Sequence, residues 1–124
     1  MSTRFTKRSR FNNVKVTVNG RKYDSRSEAE YAMTLVRMLE LKQIKSIKEQ
    51  VRYALPNMDG KLKMAYIADF VVIGNSGKEY IIDVKGMLTP EMKVKMAYFQ
   101  TYHNKKVQLV FTTGPKAFDV SFLI

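Results

Sequence analysis

Two short stretches of this chain are apolar on both faces of an extended strand, and each is interrupted by one carboxylate. Ile67-Ala68-Asp69-Phe70-Val71-Val72-Ile73 and Tyr80-Ile81-Ile82-Asp83-Val84 are bounded by turn formers and rich in β-branched and aromatic residues, so they read as strands. A strand apolar on both faces needs cover on each side. That places the pair inside a sheet packed between helices or against a partner. Asp69 and Asp83, which break the apolar runs, are the first candidates for chemistry.

The remaining elements arrange themselves around this pair. Val14, Val16 and Val18 alternate with polar residues before Asn19-Gly20, a strong two-residue hairpin signal, so a hairpin is expected over about 14–24. Ser25 and Glu28 form an S-x-x-E capping box, with Ser27 and Glu30 as a competing one. Ala29, Ala32, Met33, Leu35, Val36 and Leu39 then supply an apolar stripe, predicting a helix over about 26–42. Ile47, Glu49, Val51, Tyr53 and Leu55 alternate as a half-buried strand, with a turn over Pro56–Gly60 before the next strand at Leu62–Ile73. Thr89-Pro90 opens a second helix reaching about Asn104, with Thr as N-cap and Pro at the first helical position. Lys106–Thr113 reads as a late strand and Ala117–Ile124 as an edge strand. The reading is an α/β fold: a central mixed sheet flanked by helices, preceded by a hairpin.

With 124 residues the chain suits one domain, and 45% hydrophobic residues argue against disorder. Lys plus Arg number 22 against 11 Asp plus Glu, and the resulting charge of +11 points to a polyanion, most commonly nucleic acid. No acid precedes Asp24, while Arg4, Lys7, Arg8, Arg10, Lys15, Arg21 and Lys22 do. Residues 1–13 read as a flexible basic arm, leaving 14–124 as the folded domain. Without cysteine there is no disulfide scaffold or thiolate zinc site, and the single His103 excludes a multi-histidine metal site. No apolar run approaches the roughly 20 residues of a membrane helix, and no signal peptide is evident, so the expectation is a cytoplasmic protein.

Strand parity decides whether the two carboxylates meet. Asp83 and Lys85 share a face. A three-residue loop at Asn75-Ser76-Gly77 would place Asp69 directly opposite Asp83, whereas a loop of two or four would put them on opposite faces. Opposed carboxylates at ~5 Å repel by roughly 3 kcal/mol at an effective dielectric of ~20. A divalent cation answers that repulsion, since Mg²⁺ is usually held by one or two carboxylates with water and phosphate. Read singly, Asp83-x-Lys85 also fits a buried pair that fixes strand register, and Glu28 fits a helix cap.

Taken in order, Glu28, Asp69 and Asp83-Val84-Lys85 resemble the PD-(D/E)XK nuclease superfamily, with Ala68 where the proline of its name would stand. The similarity is closest to small phage-encoded members, Holliday-junction resolvases among them. It covers most of the chain: Arg10-Phe11, Val14-Lys15-Val16, Gly20 through Ala29, Gln50, Tyr66-Ile67-Ala68-Asp69-Phe70 and Ile82-Asp83-Val84-Lys85-Gly86. The resemblance implies a restriction-endonuclease-like αβββαβ core. It implies Asp69 and Asp83 as ligands of Mg²⁺ or Mn²⁺, the Val84 carbonyl as a further contact, and Glu28 completing the site directly or through water. Lys85 would position the attacking water and stabilise the phosphate, with Gln50 assisting. Arg4, Lys7, Arg8, Arg10, Arg21, Lys22, Arg26, Lys93 and Lys95 are the candidate DNA contacts.

The implied function is Mg²⁺-dependent, structure-selective DNA endonuclease activity, as a homodimer on a four-way junction in a phage's bacterial host cytoplasm. Another branched-DNA, nicking or transposon-end nuclease would use the same residues. A non-catalytic basic nucleic-acid-binding protein is the alternative from another class.

Overall fold

The computed structural model describes the backbone of residues 3–8, 14–18, 21–23, 25–56 and 63–124, and the side chains of 25–56 and 64–124. Arg10, Phe11, Asn19-Gly20, Asp24 and the turn after Pro56 lie outside the described residues, as do the side chains of Arg4, Lys7, Arg8, Lys15, Arg21 and Lys22. Three strands open the chain: β1 (Thr3–Arg8), β2 (Val14–Val18) and β3 (Arg21–Tyr23), in an antiparallel sheet of that order. The expected hairpin is the β2–β3 pair, with Val18 opposite Arg21. Thr3–Arg8, which composition marks as an arm, is a strand paired with β2. Apolar periodicity gives no warning of it, because ladder hydrogen bonds come from the backbone alone.

Helix α1 (Arg26–Glu40) starts where its cap dictates: the Ser25 hydroxyl accepts the Glu28 amide at 3.1 Å. Strands β4 (Ile44–Pro56), β5 (Lys63–Gly74) and β6 (Glu79–Lys85) follow as an antiparallel meander. Helix α2 (Pro90–His103) begins at Thr89, whose hydroxyl accepts the Met92 amide at 3.2 Å, and ends at left-handed Asn104. The chain then returns as β7 (Val107–Phe111), parallel to β6. The result is a four-stranded mixed sheet, β4-β5-β6-β7, with the element order αβββαβ.

The helices cover opposite faces. Tyr31, Leu35 and Met38 of α1 pack with Phe70, Val72, Ile82 and Val110, while Met96 and Phe99 of α2 pack with Tyr66, Ala68, Val71 and Ile81. This two-sided cover is what the doubly apolar strands required. One regularity fails. Ile47 faces α1, but Val51, Tyr53 and Leu55 face α2, so β4 exchanges faces partway along. Gln50, at φ 52°, breaks the alternation, and β5 exchanges faces at the same level, between Ala68 and Phe70.

The C-terminal segment is not the expected edge strand. Residues 112–124 carry no strand and end in a single 3₁₀ turn, Ser121–Leu123. Phe118 has a φ of 53°, which extended pairing does not allow, and Phe118, Val120 and Phe122 turn inward onto the α1-side core. The Tyr31 hydroxyl donates to the Asp119 carbonyl at 2.8 Å and pins the segment there.

The β5–β6 turn sets the register of everything near Asp69. Gly74 and Lys78 close a three-residue loop: the Gly74 amide donates to the Lys78 carbonyl at 2.9 Å, and Gly77 takes φ 90°. A side chain at that φ is strained, so Gly77→Val should lower stability by about 1–2 kcal/mol in urea denaturation. An unchanged midpoint would show that the turn does not need the left-handed conformation.

Candidate functional site

The loop register carries forward to the carboxylates. Pairs Ile73↔Glu79, Val72↔Tyr80, Val71↔Ile81 and Phe70↔Ile82 extrapolate to Asp69 opposite Asp83, as the three-residue loop required. There the ladder stops and the strands part. By the alternation of bonded rungs, the Val84 amide would next donate to the Ala68 carbonyl. It donates instead to Asp69 Oδ2, at 2.8 Å. An Asp side chain thus ends the β5–β6 ladder, and the two strands fork.

A cavity of about 200 Å³ lies in this fork, bounded by Tyr66 and Ile67 of β5, Asp83 and Lys85 of β6, and Met92, Lys95 and Met96 of α2. Asp83 is 1% exposed, and neither of its carboxylate oxygens has a hydrogen-bond partner among the described residues. Lys85 Nζ stands 3.9 Å from Asp83 Oδ1, a loose ion pair on the shared strand face. Burial pushes the Asp83 carboxyl up to about 6; Lys85 and the nearby Asp69 amide oppose this shift without cancelling it.

Gln50 and Glu28 lie on the other side of the fork. In the β4–β5 register Gln50 falls opposite Asp69, at the one level between Glu49↔Phe70 and Val51↔Ala68 that makes no ladder pair. Its side-chain amide donates to Glu28 Oε1 at 2.5 Å. Glu28 is itself buried on α1, whereas Glu30 is exposed and pairs with Arg26 at 3.7 Å. The five residues singled out for catalysis therefore fall at one level of the sheet: Gln50 bonds to Glu28 on the α1 side, Asp69 lies opposite Gln50 by register and holds the Val84 amide, and Asp83 and Lys85 flank Val84 on β6. They do not form a cage of three carboxylates; among the described residues no three His, Cys, Asp or Glu side chains gather in that way. Glu28 bonds to Gln50 at the level of Asp69.

The candidate cations divide. Lys95 lines the cavity itself, Lys93 is exposed on α2, and Arg26 is engaged with Glu30. His103 is structural: its Nε2 lies 2.8 Å from the Ala54 carbonyl oxygen, among the rings of Tyr53, Phe99 and Tyr102. Tyr66, which sequence reasoning did not single out, lines the cavity, and its buried hydroxyl has no hydrogen-bond partner among the described residues. In the sequence it reads as one more apolar strand residue.

The donors suit a hard divalent cation. Asp83 offers two buried oxygens without a hydrogen-bond partner among the described residues, with Asp69 opposite by register, and Mg²⁺ is commonly held by one or two carboxylates while keeping several waters. Fold and cleft together define a small α/β protein with a buried carboxylate at a strand fork. The chain belongs to a family of proteins of unknown function, DUF1064, whose profile matches residues 8–118. No curated protein and no solved structure matches it. No helix among the described residues is long and apolar enough to cross a membrane.

The buried carboxylate has a pH signature. Below about pH 4 Asp83 is protonated in the folded and unfolded chain alike, so its burial costs nothing as charge. Between pH 4 and 6 only the unfolded chain ionises, and stability falls by about 3 kcal/mol as the pH rises through that window. Asp83→Asn should therefore stabilise the chelator-treated protein by roughly that amount at pH 7 and by little at pH 4. Denaturation at the two pH values measures this. Equal stability of variant and parent at pH 7 would contradict it.

Proposed function

We propose that the chain is a Mg²⁺-dependent, structure-selective DNA endonuclease with a PD-(D/E)XK site, most specifically a Holliday-junction resolvase of phage type. The observation that carries this reading is the pair of unsatisfied Asp83 oxygens at the fork, opposite Asp69 and beside Lys85. The αβββαβ order and the chain order Glu28, Asp69, Asp83, Lys85 agree with it. Mg²⁺, or Mn²⁺ in its place, would be held by Asp69 and Asp83. When bound, the cation supplies activation of water and screening of charge on the phosphodiester.

The chain's own groups do the rest. Asp69, fixed by the Val84 amide, cannot swing away from Asp83 without breaking that bond. Lys85 shares the strand face of Asp83 and lines the cavity with a side chain 24% exposed, so that its ammonium can donate to a phosphate oxygen as negative charge develops. Lys95 stands on the facing helix as a second cation for the same phosphate. Gln50, opposite Asp69 by register, ties this level of the sheet to Glu28 of α1. The excess of 11 positive charges, with basic residues concentrated before Asp24, provides salt-sensitive attraction to the DNA backbone. A four-way junction presents two strands related by a pseudo-two-fold axis, so the active species would be a symmetric dimer in a host cytoplasm.

Incubating an end-labelled four-way junction and a matched linear duplex with the protein and Mg²⁺ tests this directly. Paired symmetric nicks confined to the junction are expected. Asp69→Ala, Asp83→Ala and Lys85→Ala should each slow cleavage by about a hundredfold or more while the junction stays bound. Cutting of both substrates would remove junction selectivity. Tight binding that survives Asp83→Ala, with no cut in Mg²⁺ or Mn²⁺, would identify a non-catalytic nucleic-acid-binding protein instead.

A further inference from the structure

Helix α2 is apolar where it meets the sheet and apolar again where it does not. Met96 and Phe99 pack into the core, while Val94 is 71% exposed and Tyr102 54%. Lys95, Tyr98 and Tyr102, at i, i+3 and i+7, fall on one stripe of the helix. Lys95 lines the cavity, and Tyr102 lies about 10 Å further along the axis at the helical rise. The stripe therefore leads away from the candidate site.

Two rings set the position of Tyr102. Tyr98 lies 6.2 Å away at 88° and His103 5.0 Å away at 78°, both edge-to-face. Those neighbours are themselves anchored. Tyr98 packs on the α2-side core, and His103 Nε2 lies 2.8 Å from the Ala54 carbonyl oxygen. Among the described residues no aromatic ring lies parallel on Tyr102. The result is a largely exposed ring with fixed neighbours and no stacked partner.

Charge decides what occupies this stripe. From Pro90 to Lys106 the chain carries one acid, Glu91, against Lys93, Lys95, Lys105 and Lys106. Lys105 pairs with Glu79 at 2.7 Å, and Lys93, Lys95 and Lys106 are exposed. A second copy of the helix would set like charges together on a chain already at +11. A nucleic-acid strand brings the opposite charge, together with flat aromatic faces that stack on tyrosine. In a duplex those faces are covered by neighbouring base pairs, so the ring suits an unpaired base.

We propose that Tyr102, flanked by Tyr98, is a stacking platform for an unpaired base of the DNA strand whose backbone meets Lys95. This rests on the nuclease reading and deepens it by naming the substrate feature the site takes. That feature is a base freed from pairing within about three nucleotides of the cavity, at the 3.4 Å rise of a stacked strand. A branch point offers such a base, and an intact duplex does not.

Equilibrium binding of the full chain in chelator, where no metal-dependent cut occurs, separates bases from backbone. The wild type should bind a short single strand about tenfold more tightly than an abasic strand of the same length and charge. Tyr102→Ala should lose that preference and Tyr102→Phe keep it, while Lys95→Ala weakens both strands alike. The chain has no tryptophan, so Tyr102→Trp reports on the ring directly: its emission should fall with the intact strand and not with the abasic one. Equal wild-type affinity for the two strands, or a preference that survives Tyr102→Ala, would overturn the platform. A loss in Tyr102→Phe as complete as in Tyr102→Ala would overturn it too, by assigning the effect to the hydroxyl. A DNA-free dimer in sedimentation that Tyr102→Ala dissociates would give the stripe to a second copy instead. A preference that depends on Tyr102, with no cut of the junction in Mg²⁺ or Mn²⁺, would overturn the nuclease reading and leave the platform standing.

Discussion

The hydrogen bond from the Val84 amide to Asp69 Oδ2 is the interaction on which the site depends. A backbone carbonyl in its place would continue the β5–β6 ladder, and the sheet would close over the ground the cavity now occupies. Because a side chain takes the amide, the two strands part where both are most apolar. The fork lies deep enough to strip water from Asp83 and remains open enough for Lys85 to reach the cavity. The same bond fixes the Asp69 carboxylate in place. One polar contact therefore ends a ladder, opens a cleft and orients a potential ligand.

The surrounding fold is arranged to tolerate this. At the level of Asp69 and Gln50, β4 and β5 both exchange the faces they show to α1 and α2, and the left-handed Gln50 absorbs the break in alternation. Its side chain then points its amide at Glu28 on α1. The buried, unsatisfied Asp83 costs the isolated chain stability at neutral pH, a cost that a bound cation would offset. A fold concerned only with its own stability would place Asn or an apolar residue there, which is why the carboxylate reads as functional.

Much of this was legible in the sequence where the rules are local. Asn75-Ser76-Gly77 carries the turn chemistry that sets the β5–β6 register, so the opposition of Asp69 and Asp83 follows from counting. Ser25 and Thr89 mark both helix starts through their hydroxyls. The readings that failed depend on distant packing. Phe118, Val120 and Phe122 alternate as a strand would, but the α1-side core and the Tyr31 hydroxyl draw the segment inward. The face exchange at Gln50 is hidden because glutamine is an ordinary strand residue until its φ is known. Tyr66 looks like core in the sequence, which gives no sign that its hydroxyl is buried without a hydrogen-bond partner while that of Tyr31 has one.

The most direct measurement is the anomalous scattering of Mn²⁺ soaked into crystals of the protein. A peak between the carboxylates of Asp69 and Asp83, absent from Asp83→Asn crystals grown alike, is the predicted result. A map with no peak in the fork at millimolar Mn²⁺, while the cavity stays open to solvent in the crystal, would contradict the cation site and the hydrolytic chemistry built on it.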